Sequence, residues 1–287
     1  MSPETALEYI NAAKSTTYAV TNQYSGGDDQ GAWRVATPDG NSAVLKISRN
    51  PTPQWRAQIE RAKAATDHLR PLGYPAPRYL HIDSLDNGTF WLESELPGLP
   101  VSQPTSAQVT ELLRLIDLQK DQTISAVQGQ DWSWYVSSVV FRGESGLVRA
   151  LMQFSPETSA LAAGIEGLVR GLDAQTLRNS DLVHGDFTVG QVLAQNDQIT
   201  GVIDWDQAGY GDRTLDLVGL WYSVINQSVT AEEIMKHALS ITSAGVIKIV
   251  AAYKMLAIIA WHINKAGGNV SAVAADARTA LEILHQL

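Results

Sequence analysis

The sequence contains no cysteine among its 287 residues, and this absence excludes several kinds of chemistry. Without a thiol the chain cannot form a disulfide, attack a substrate with a thiolate or bind a metal through sulfur. The lack of cysteine fits a cytoplasmic protein, and we expect that location. The stretch MSPETALEYINAAK at the start has no basic segment followed by an apolar run, so we expect no signal peptide.

Basic residues are scarce as well, since 21 Lys and Arg oppose 30 Asp and Glu to give a formal net charge of −9. This balance disfavours nucleic-acid binding through a basic surface. It is compatible with a cationic small substrate, because an acidic cleft raises the local concentration of cations. The same charge also keeps a protein soluble, so charge alone does not choose between these interpretations.

Long uncharged apolar runs are also missing. The most apolar segment, residues 244–263, is interrupted by Lys248 and Lys254. A membrane-spanning helix needs about 20 residues with few or no charges, so a buried amphipathic helix is the better interpretation. We therefore expect no membrane partner, and a monomer or a dimer in solution.

The residues up to Leu96 predict a small antiparallel β-sheet with one inserted helix. Strands are indicated where β-branched and aromatic residues stand between turn residues. These stretches are 17–24, 32–37, 42–48, 78–83 and 89–96. The pair Asp39-Gly40 predicts a tight hairpin, and residues 53–69 are predicted to form the helix.

Beyond a connector rich in Pro and Gly at 96–106, helices are expected to dominate. Capping residues indicate where helices begin, namely Thr105 with Gln108, Ser155 before Pro156, and Thr230 with Glu233. One β-hairpin is predicted among the helices, around Asn196 and Asp197. We therefore predict an N-terminal domain of residues 1–96 and a helical domain of residues 97–287.

The predicted hairpin is flanked by two carboxylates. Asp186 precedes its first strand, and Asp204 ends its second strand. Because the outer ends of a hairpin lie together, we expect the two carboxylates to converge. Phosphoryl transfer uses such a pair: one carboxylate orients the attacking hydroxyl and accepts its proton, while another holds Mg²⁺ on the nucleotide phosphates.

These residues resemble a known family. The matched motifs are His184-Gly185-Asp186, Gly190, Ile203-Asp204-Trp205-Asp206 and Gly211-Asp212 with Asp216-Leu217. They are similar to those of the aminoglycoside phosphotransferase and choline kinase superfamily, in its antibiotic phosphotransferase branch. The resemblance implies a bilobal α+β fold of the protein-kinase type, with Mg²⁺ and ATP or GTP bound between the lobes. It also implies that Asp186 is catalytic and that Asp204 binds metal.

The resemblance assigns roles to further residues in the N-terminal domain. Lys46 matches the strand lysine that contacts the α and β phosphates, and Glu60 matches the helix glutamate that pairs with this lysine. A loop that covers the phosphates is expected at Ser25, Gly26 and Gly27. A hinge that binds adenine through its backbone is expected at Glu93, Ser94, Glu95 and Leu96.

Gln191 departs from the family pattern, which has Asn at this position. Glutamine keeps the amide oxygen, and Mg²⁺ takes oxygen ligands, so we predict that Gln191 assists the metal. Asp186, Asp204 and Lys46 are all present, which favours an active phosphotransferase over a nucleotide-binding pseudoenzyme.

The sequence says less about the acceptor substrate than about the phosphate donor. The resemblance places it in the helical domain, and the candidate residues are Asp206, Asp212, Trp132, Trp134, Tyr135 and Trp221. Asp212 is also a candidate for supporting the catalytic loop. We expect a cationic antibiotic, either an aminoglycoside or a basic cyclic peptide such as capreomycin or viomycin, which phosphorylation would inactivate. The alternative is a metabolic alcohol such as choline, homoserine or a methylthio-sugar.

Overall fold

A computed structural model describes residues 1–24, 30–48, 53–85, 88–265 and 269–287 as an α+β fold. The chain divides into two units. The first consists of Met1–Leu99 with Leu193–Ala208, and the second of Pro100–Val192 with Gly209–Leu287. The predicted division at residue 96 therefore needs one correction, because the segment 193–208 groups with the N-terminal part of the chain. Its Val202 N–H donates to the Pro75 carbonyl at 2.8 Å, which ties it to that part.

The first unit contains an antiparallel sheet of five strands with the order β1-β2-β3-β5-β4. Its elements before residue 99 are α1 (Pro3–Lys14), β1 (Ala19–Gln23), β2 (Gln30–Ala36), β3 (Ser42–Ser48), α2 (Pro53–Leu69), β4 (Tyr79–Leu85) and β5 (Gly88–Ser94). The predicted strands and helix are confirmed to within a few residues. Helix α1 was not predicted, although Ser2 as N-cap followed by Pro3 is a signal for a helix start.

One face of this sheet forms a core with α1. Val35, Leu45 and Phe90 from three strands pack with Leu7 and Ile10 from α1. Side chains alternate along a strand between the two faces of a sheet. The side chains on the opposite face of the sheet are therefore not part of this core.

The remaining strands are short. They are β6 (Leu99–Pro100), β7 (Asp181–Val183), β8 (Val192–Gln195), β9 (Gln198–Val202) and β10 (Gly209–Gly211). Strands β8 and β9 form the predicted hairpin, with Asn196 and Asp197 both in the left-handed region at φ 50° and 63°. Two such residues in succession match the twist of antiparallel strands.

The second unit is mainly helical, as predicted. Its helices are α3 (Ser106–Leu118), α4 (Trp132–Ser137), α5 (Leu147–Phe154), α6 (Pro156–Val169), α7 (Thr214–Ser223), α8 (Ser228–Ile241), α9 (Ala244–Lys265) and α10 (Ser271–His285). Among the described residues, α9 is long and apolar enough to cross a membrane by composition. However, 67% of its most apolar window is buried inside the protein, as expected for a core helix.

The capping signals were right at two helices and wrong at one. Thr105 with Gln108 forms a capping box at the start of α3, and Ser155 caps α6. Thr230 does not begin a helix, because α8 already begins at Ser228 and Thr230 lies within its first turn. A Thr three residues before a Glu also occurs inside helices, so this pattern needs support from the residues before it.

Candidate active site

Lys46 lies in a buried cluster of charges in the first unit. The alternation along β3 turns Lys46 to the face of the sheet opposite α1. Its ammonium lies 3.5 Å from Glu93 Oε2 and donates a hydrogen bond of 3.3 Å to Asp204 Oδ1. Only 11% of the Lys46 side chain is exposed, so its charge is balanced by these carboxylates rather than by solvent.

The register of the sheet brings these groups together. Lys46 lies opposite Trp91, and Glu93 follows two residues later in β5, so the side chains share one face. Tyr79 of β4 lies opposite Glu93. The Glu93 carboxylate accepts a hydrogen bond of 2.7 Å from Trp91 Nε1 and another from the Tyr79 hydroxyl. Glu93 is buried, and a buried carboxylate requires such partners.

The charges of this cluster shift the titration of its members. Burial acts to lower the pKa of Lys46, but the carboxylates of Glu93, Asp204 and Asp206 outweigh it and raise the pKa above its ordinary value. Burial and then the same carboxylates raise the pKa of Tyr79 well above its ordinary value. Lys46 is therefore charged at neutral pH and provides a fixed cation.

The predicted pairing of Lys46 with Glu60 is wrong. Glu60 lies in α2 and forms an ion pair of 2.9 Å with Arg56, one turn earlier, and 55% of its side chain is exposed. Helix α2 turns Ile59 towards the interior, which leaves Glu60 on the solvent side. Glu93 provides the carboxylate at Lys46 that the resemblance assigned to Glu60.

This correction predicts different effects for two similar substitutions. Glu93→Gln should lower the free energy of unfolding by about 1–3 kcal/mol, because the buried ammonium of Lys46 loses a carboxylate partner. Glu60→Gln should change it by less than about 0.5 kcal/mol, because its ion pair is exposed. Urea unfolding of the two variants measures both effects. A larger loss for Glu60→Gln would contradict the assignment of Glu93.

The four residues predicted to bind adenine do not form one connecting segment. Strand β5 extends through Ser94, so Glu93 and Ser94 are paired within the sheet, and Ser94 N–H donates to the Arg78 carbonyl at 2.8 Å. The hinge assignment of Glu93 and Ser94 is therefore corrected, because both belong to a central strand. Only Glu95 and Leu96 follow β5, and their contact with adenine stays a prediction.

The side chain of Glu95 holds the neighbouring strands together. Its carboxylate accepts hydrogen bonds from Arg34 Nε at 2.8 Å and from the Tyr24 hydroxyl at 2.9 Å. The loop residues Ser25, Gly26 and Gly27, which are predicted to cover the phosphates, lie outside the residues that the structure describes.

Asp204 has an uncommon backbone conformation. Its φ of 68° and ψ of 55° lie in the left-handed region, directly before the turn Trp205–Gln207. This conformation is costly for residues other than Gly, although Asp and Asn tolerate it best, and it often occurs at functional sites. Trp205 fixes the turn, because it is buried and packs edge to face on Tyr74 at 5.2 Å. The Asp204 side chain is 37% exposed and therefore accessible to a ligand.

The loop predicted to be catalytic lies in the second unit, and hydrogen bonds to its backbone hold it in place. The buried Asp216 carboxylate of α7 accepts hydrogen bonds from His184 N–H at 2.6 Å and from Gly185 N–H at 2.9 Å. Asp186 N–H donates to His184 Nδ1 at 3.3 Å, so His184 supports the loop. The side chain of Asp186 is exposed. The loop thus presents a carboxylate to solvent from a fixed backbone.

Gln191 ends a short 3₁₀ turn, Val189–Gln191, that directly precedes β8. Its backbone N–H donates to the Thr188 carbonyl at 3.0 Å, and its side chain is half-buried. An amide oxygen at this place is a suitable donor for a hard cation. Its contact with a metal stays a prediction.

Three of the predicted acceptor residues are buried, and these assignments are corrected. Trp221 is 1% exposed because α7 is surrounded by other elements. Asp212 is 5% exposed, and its carboxylate accepts hydrogen bonds from Arg178 N–H and Thr214 N–H at 3.0 and 2.9 Å, which supports the loop before α7. Trp132 is 5% exposed and packs on two tyrosines.

The other acceptor candidates remain accessible. Trp134 is 53% exposed in α4, and the Tyr135 side chain is half-buried. Asp206 is half-buried and belongs to the first unit, where it contributes to the raised pKa of Lys46. No group of three or more His, Cys, Asp or Glu residues that could hold a metal ion by themselves occurs among the residues described.

Comparison with known proteins defines the class of this protein. The sequence matches the phosphotransferase enzyme family over residues 20–245. This match covers most of the chain, so the chain belongs to that family. Its Lys46 cluster and its Asp186 loop both lie within the matched residues.

Individual relatives are antibiotic phosphotransferases. Viomycin phosphotransferase of Streptomyces vinaceus is 26% identical over 192 residues, which are 58% of this chain and 60% of that protein. A thermostable mutant of aminoglycoside phosphotransferase APH(4)-Ia has the same fold, with a TM-score of 0.73, 15% identity and coverage of 97% and 98% of the two chains. Macrolide 2′-phosphotransferase MphH from Brachybacterium faecium gives a TM-score of 0.65, 18% identity and coverage of 94% and 97%. These structures confirm the predicted kinase-like α+β fold.

Sequence reasoning missed three side chains that contact the site residues. Glu93 was expected to act through its backbone, and Tyr79 and Lys254 were given no role. The alternation along β5, which turns Trp91 and Glu93 to the same face, was the available signal for Glu93. The signal for Lys254 was a single cation in the apolar stretch that forms α9.

Proposed function

We propose that the protein transfers the γ-phosphoryl group of a nucleoside triphosphate to a hydroxyl of a cationic antibiotic and thereby inactivates the antibiotic. The observation that carries this proposal is the exposed Asp186 carboxylate on a loop whose backbone is fixed by Asp216. Family membership supports the reaction class. The similarity to viomycin phosphotransferase supports the acceptor class.

In the proposed reaction the Asp186 carboxylate orients the acceptor hydroxyl and accepts its proton. The acceptor oxygen forms a bond to the γ-phosphorus while the bond to the β–γ bridging oxygen breaks, and a nucleoside diphosphate leaves. Lys46, held by Glu93 and Asp204, supplies a fixed positive charge for the phosphates of the donor. ATP is the expected donor. A variant of APH(4)-Ia, whose structure matches this chain with a TM-score of 0.69, was solved in a ternary complex with ADP and hygromycin B.

The carboxylate of Asp204 and the amide oxygen of Gln191 are donors of the kind that suits Mg²⁺, and we propose that they bind it. This cation usually binds one or two carboxylates and completes its shell with phosphate oxygens and water. The fit is supported by the accessible Asp204 carboxylate and by its uncommon backbone conformation. When bound, Mg²⁺ would neutralise charge on the donor phosphates. We propose a cytoplasmic location for the reaction, which membership of the phosphotransferase enzyme family supports.

The role of Gln191 is testable through the requirement for Mg²⁺. Gln191→Asn should retain activity, because it keeps an amide oxygen. Gln191→Ala should raise the Mg²⁺ concentration for half-maximal rate about tenfold, a typical cost for losing a group around a metal. Mg²⁺ titrations of initial rates compare the variants. Identical curves for the wild type and both variants would show that Gln191 does not bind the metal.

The acceptor class is tested with a panel. ADP release with Mg²⁺ and ATP is measured with viomycin, capreomycin, hygromycin B, other aminoglycosides, a macrolide, choline and homoserine, and GTP replaces ATP in a parallel series. We expect release with a basic cyclic peptide or an aminoglycoside. Release with choline or homoserine alone would overturn the antibiotic assignment.

The aromatic residues do not favour the choline alternative. A site for a quaternary ammonium group exposes aromatic ring faces to the ligand. Trp132, Tyr135 and Tyr253 instead pack edge to face or tilted on one another, with ring centroids 5.7–6.1 Å apart. Trp132 and Tyr253 are buried, so their faces fill the core of the second unit.

A further inference from the structure

A buried lysine of helix α9 contacts the loop that carries Asp186. Lys254 lies in the middle of α9, where it is 6% exposed among apolar residues. Its ammonium donates a hydrogen bond of 3.0 Å to the Gly185 carbonyl. Burial of an ammonium costs several kcal/mol unless partners compensate for the lost water. A leucine or methionine would fill this position without that cost, so the charge at this position calls for an explanation.

The residues around Lys254 leave space for its ammonium. Gly219 of α7 has no side chain, and a Cβ there would lie 3.4 Å from both Cε and Nζ of Lys254 and 2.7 Å from the Phe187 carbonyl oxygen. The pKa of Lys254 is lowered overall, because burial outweighs the carboxylates of Asp186 and Asp216, which act to raise it. The ammonium therefore lies between helix α7 and the loop that carries the catalytic carboxylate.

Both sides of Gly185 are held by charged groups. Asp216 accepts the hydrogen bond from its N–H, and Lys254 donates to its carbonyl. Gly185 has a φ of 89°, in the left-handed region that a glycine adopts readily. Hydrogen bonds to charged groups are roughly twice as strong as neutral ones. The orientation of the following residue, Asp186, is thus fixed from α7 and from α9.

We propose that Lys254 is a positioning residue for phosphoryl transfer: its buried ammonium holds the Gly185 carbonyl and thereby orients the Asp186 carboxylate towards the acceptor hydroxyl. This inference rests on the proposed function and adds a residue of α9 to it. Loss of Lys254 should slow the chemical step without weakening the binding of nucleotide, because Lys46 and Asp204 hold the nucleotide independently.

The experiment compares Lys254→Met with Lys248→Met, which makes the same change six residues earlier in α9. Thermal unfolding first establishes the temperature at which each variant is fully folded. At that temperature, kcat and the nucleotide Kd are measured with the acceptor found for the wild type. We expect kcat of Lys254→Met to fall about 10- to 100-fold, as for other displacements of a catalytic group, with an unchanged nucleotide Kd. Lys248→Met should match the wild type.

A second comparison asks whether Lys254 acts through Asp186. In an Asp186→Ala background, Lys254→Met should cause no further loss of the residual rate, since effects of residues that act as a unit are not additive. If Lys254→Met does not fold, Lys254→Gln replaces it in both comparisons. The expected result is the same, because Gln also lacks the charge.

The outcomes separate this inference from the function on which it rests. A wild type that phosphorylates no acceptor overturns the proposed function, and with it the role of Lys254, before any variant is made. If the wild type is active, an unchanged kcat in Lys254→Met overturns the inference alone. The inference is also overturned by a loss that is equal in the Asp186 and Asp186→Ala backgrounds, or by a loss that Lys248→Met shares.

Discussion

Asp186→Ala should reduce turnover about 100- to 10,000-fold while nucleotide still binds. The expected size is that of losing a positioned general base. Nucleotide binding should persist, because the cation proposed to face the phosphates is Lys46, and its partners are Glu93 and Asp204. The rate of acceptor phosphorylation and the nucleotide Kd, measured by calorimetry, check the two parts of this prediction.

The structure also predicts that Asp186→Ala affects activity much more than folding. The Asp186 side chain is exposed, and the contact that holds this residue in the loop is made by its backbone N–H to His184. The free energy of unfolding should therefore fall by no more than about 1 kcal/mol, a loss that comes from the carboxylate's interaction with the buried Lys254 ammonium. Asp186→Asn serves as the matched control, because it keeps the size of the side chain but cannot accept the proton. Undiminished phosphotransfer in either variant would contradict the catalytic assignment.

Asp204→Asn should reduce turnover about 100-fold or more and remove the effect of Mg²⁺ on nucleotide binding. The carboxylate charge is lost, whereas the amide keeps the size of the side chain. Asn also tolerates the left-handed backbone at φ 68°. A loss of this size is typical when one electrostatic group that faces the developing charge is removed. Calorimetric titration of nucleotide with and without Mg²⁺ measures the effect.

Asp204→Ala provides the comparison that separates charge from backbone strain. Alanine is less suited to the left-handed region and should lower the free energy of unfolding by about 1 kcal/mol more than Asn. The loss of turnover should be similar for both variants, because both lack the carboxylate. Removal of Mg²⁺ from the wild type with EDTA should have the same effect on the rate. A wild-type response to Mg²⁺ in Asp204→Asn would show that Asp204 does not hold the metal.

The sequence alone was sufficient for the fold class, which the resemblance of its motifs to the family implied. The individual elements follow from local signals: alternation in β3, capping residues at α3 and α6, and the pair Asn196-Asp197 in the turn between β8 and β9. These signals act between neighbours in the chain, so they can be detected without knowing the tertiary fold. The same locality explains why residues 184–186 and 203–206 carried the resemblance to the family.

Contacts between distant parts of the chain were decided only by the tertiary structure. Which carboxylate pairs with Lys46 depends on the register of β3 with β5, and that register places Glu93 beside the ammonium and leaves Glu60 in solvent. A tryptophan such as Trp221 is the same residue in the sequence whether it fills a core or lines a surface, so only the tertiary structure decides that it is buried.

Lys254 shows the same limit most clearly. Its sequence surroundings predict a buried helix and nothing more, because a single lysine in an apolar stretch usually extends its ammonium to solvent. Only the packing of α9 against the catalytic loop directs that ammonium to the Gly185 carbonyl, 69 residues away in the chain. The sequence determined which elements form and predicted which carboxylate performs the chemistry. The tertiary structure decided which buried charges hold them, because the energy of a buried charge depends on partners that the chain brings together only when it folds.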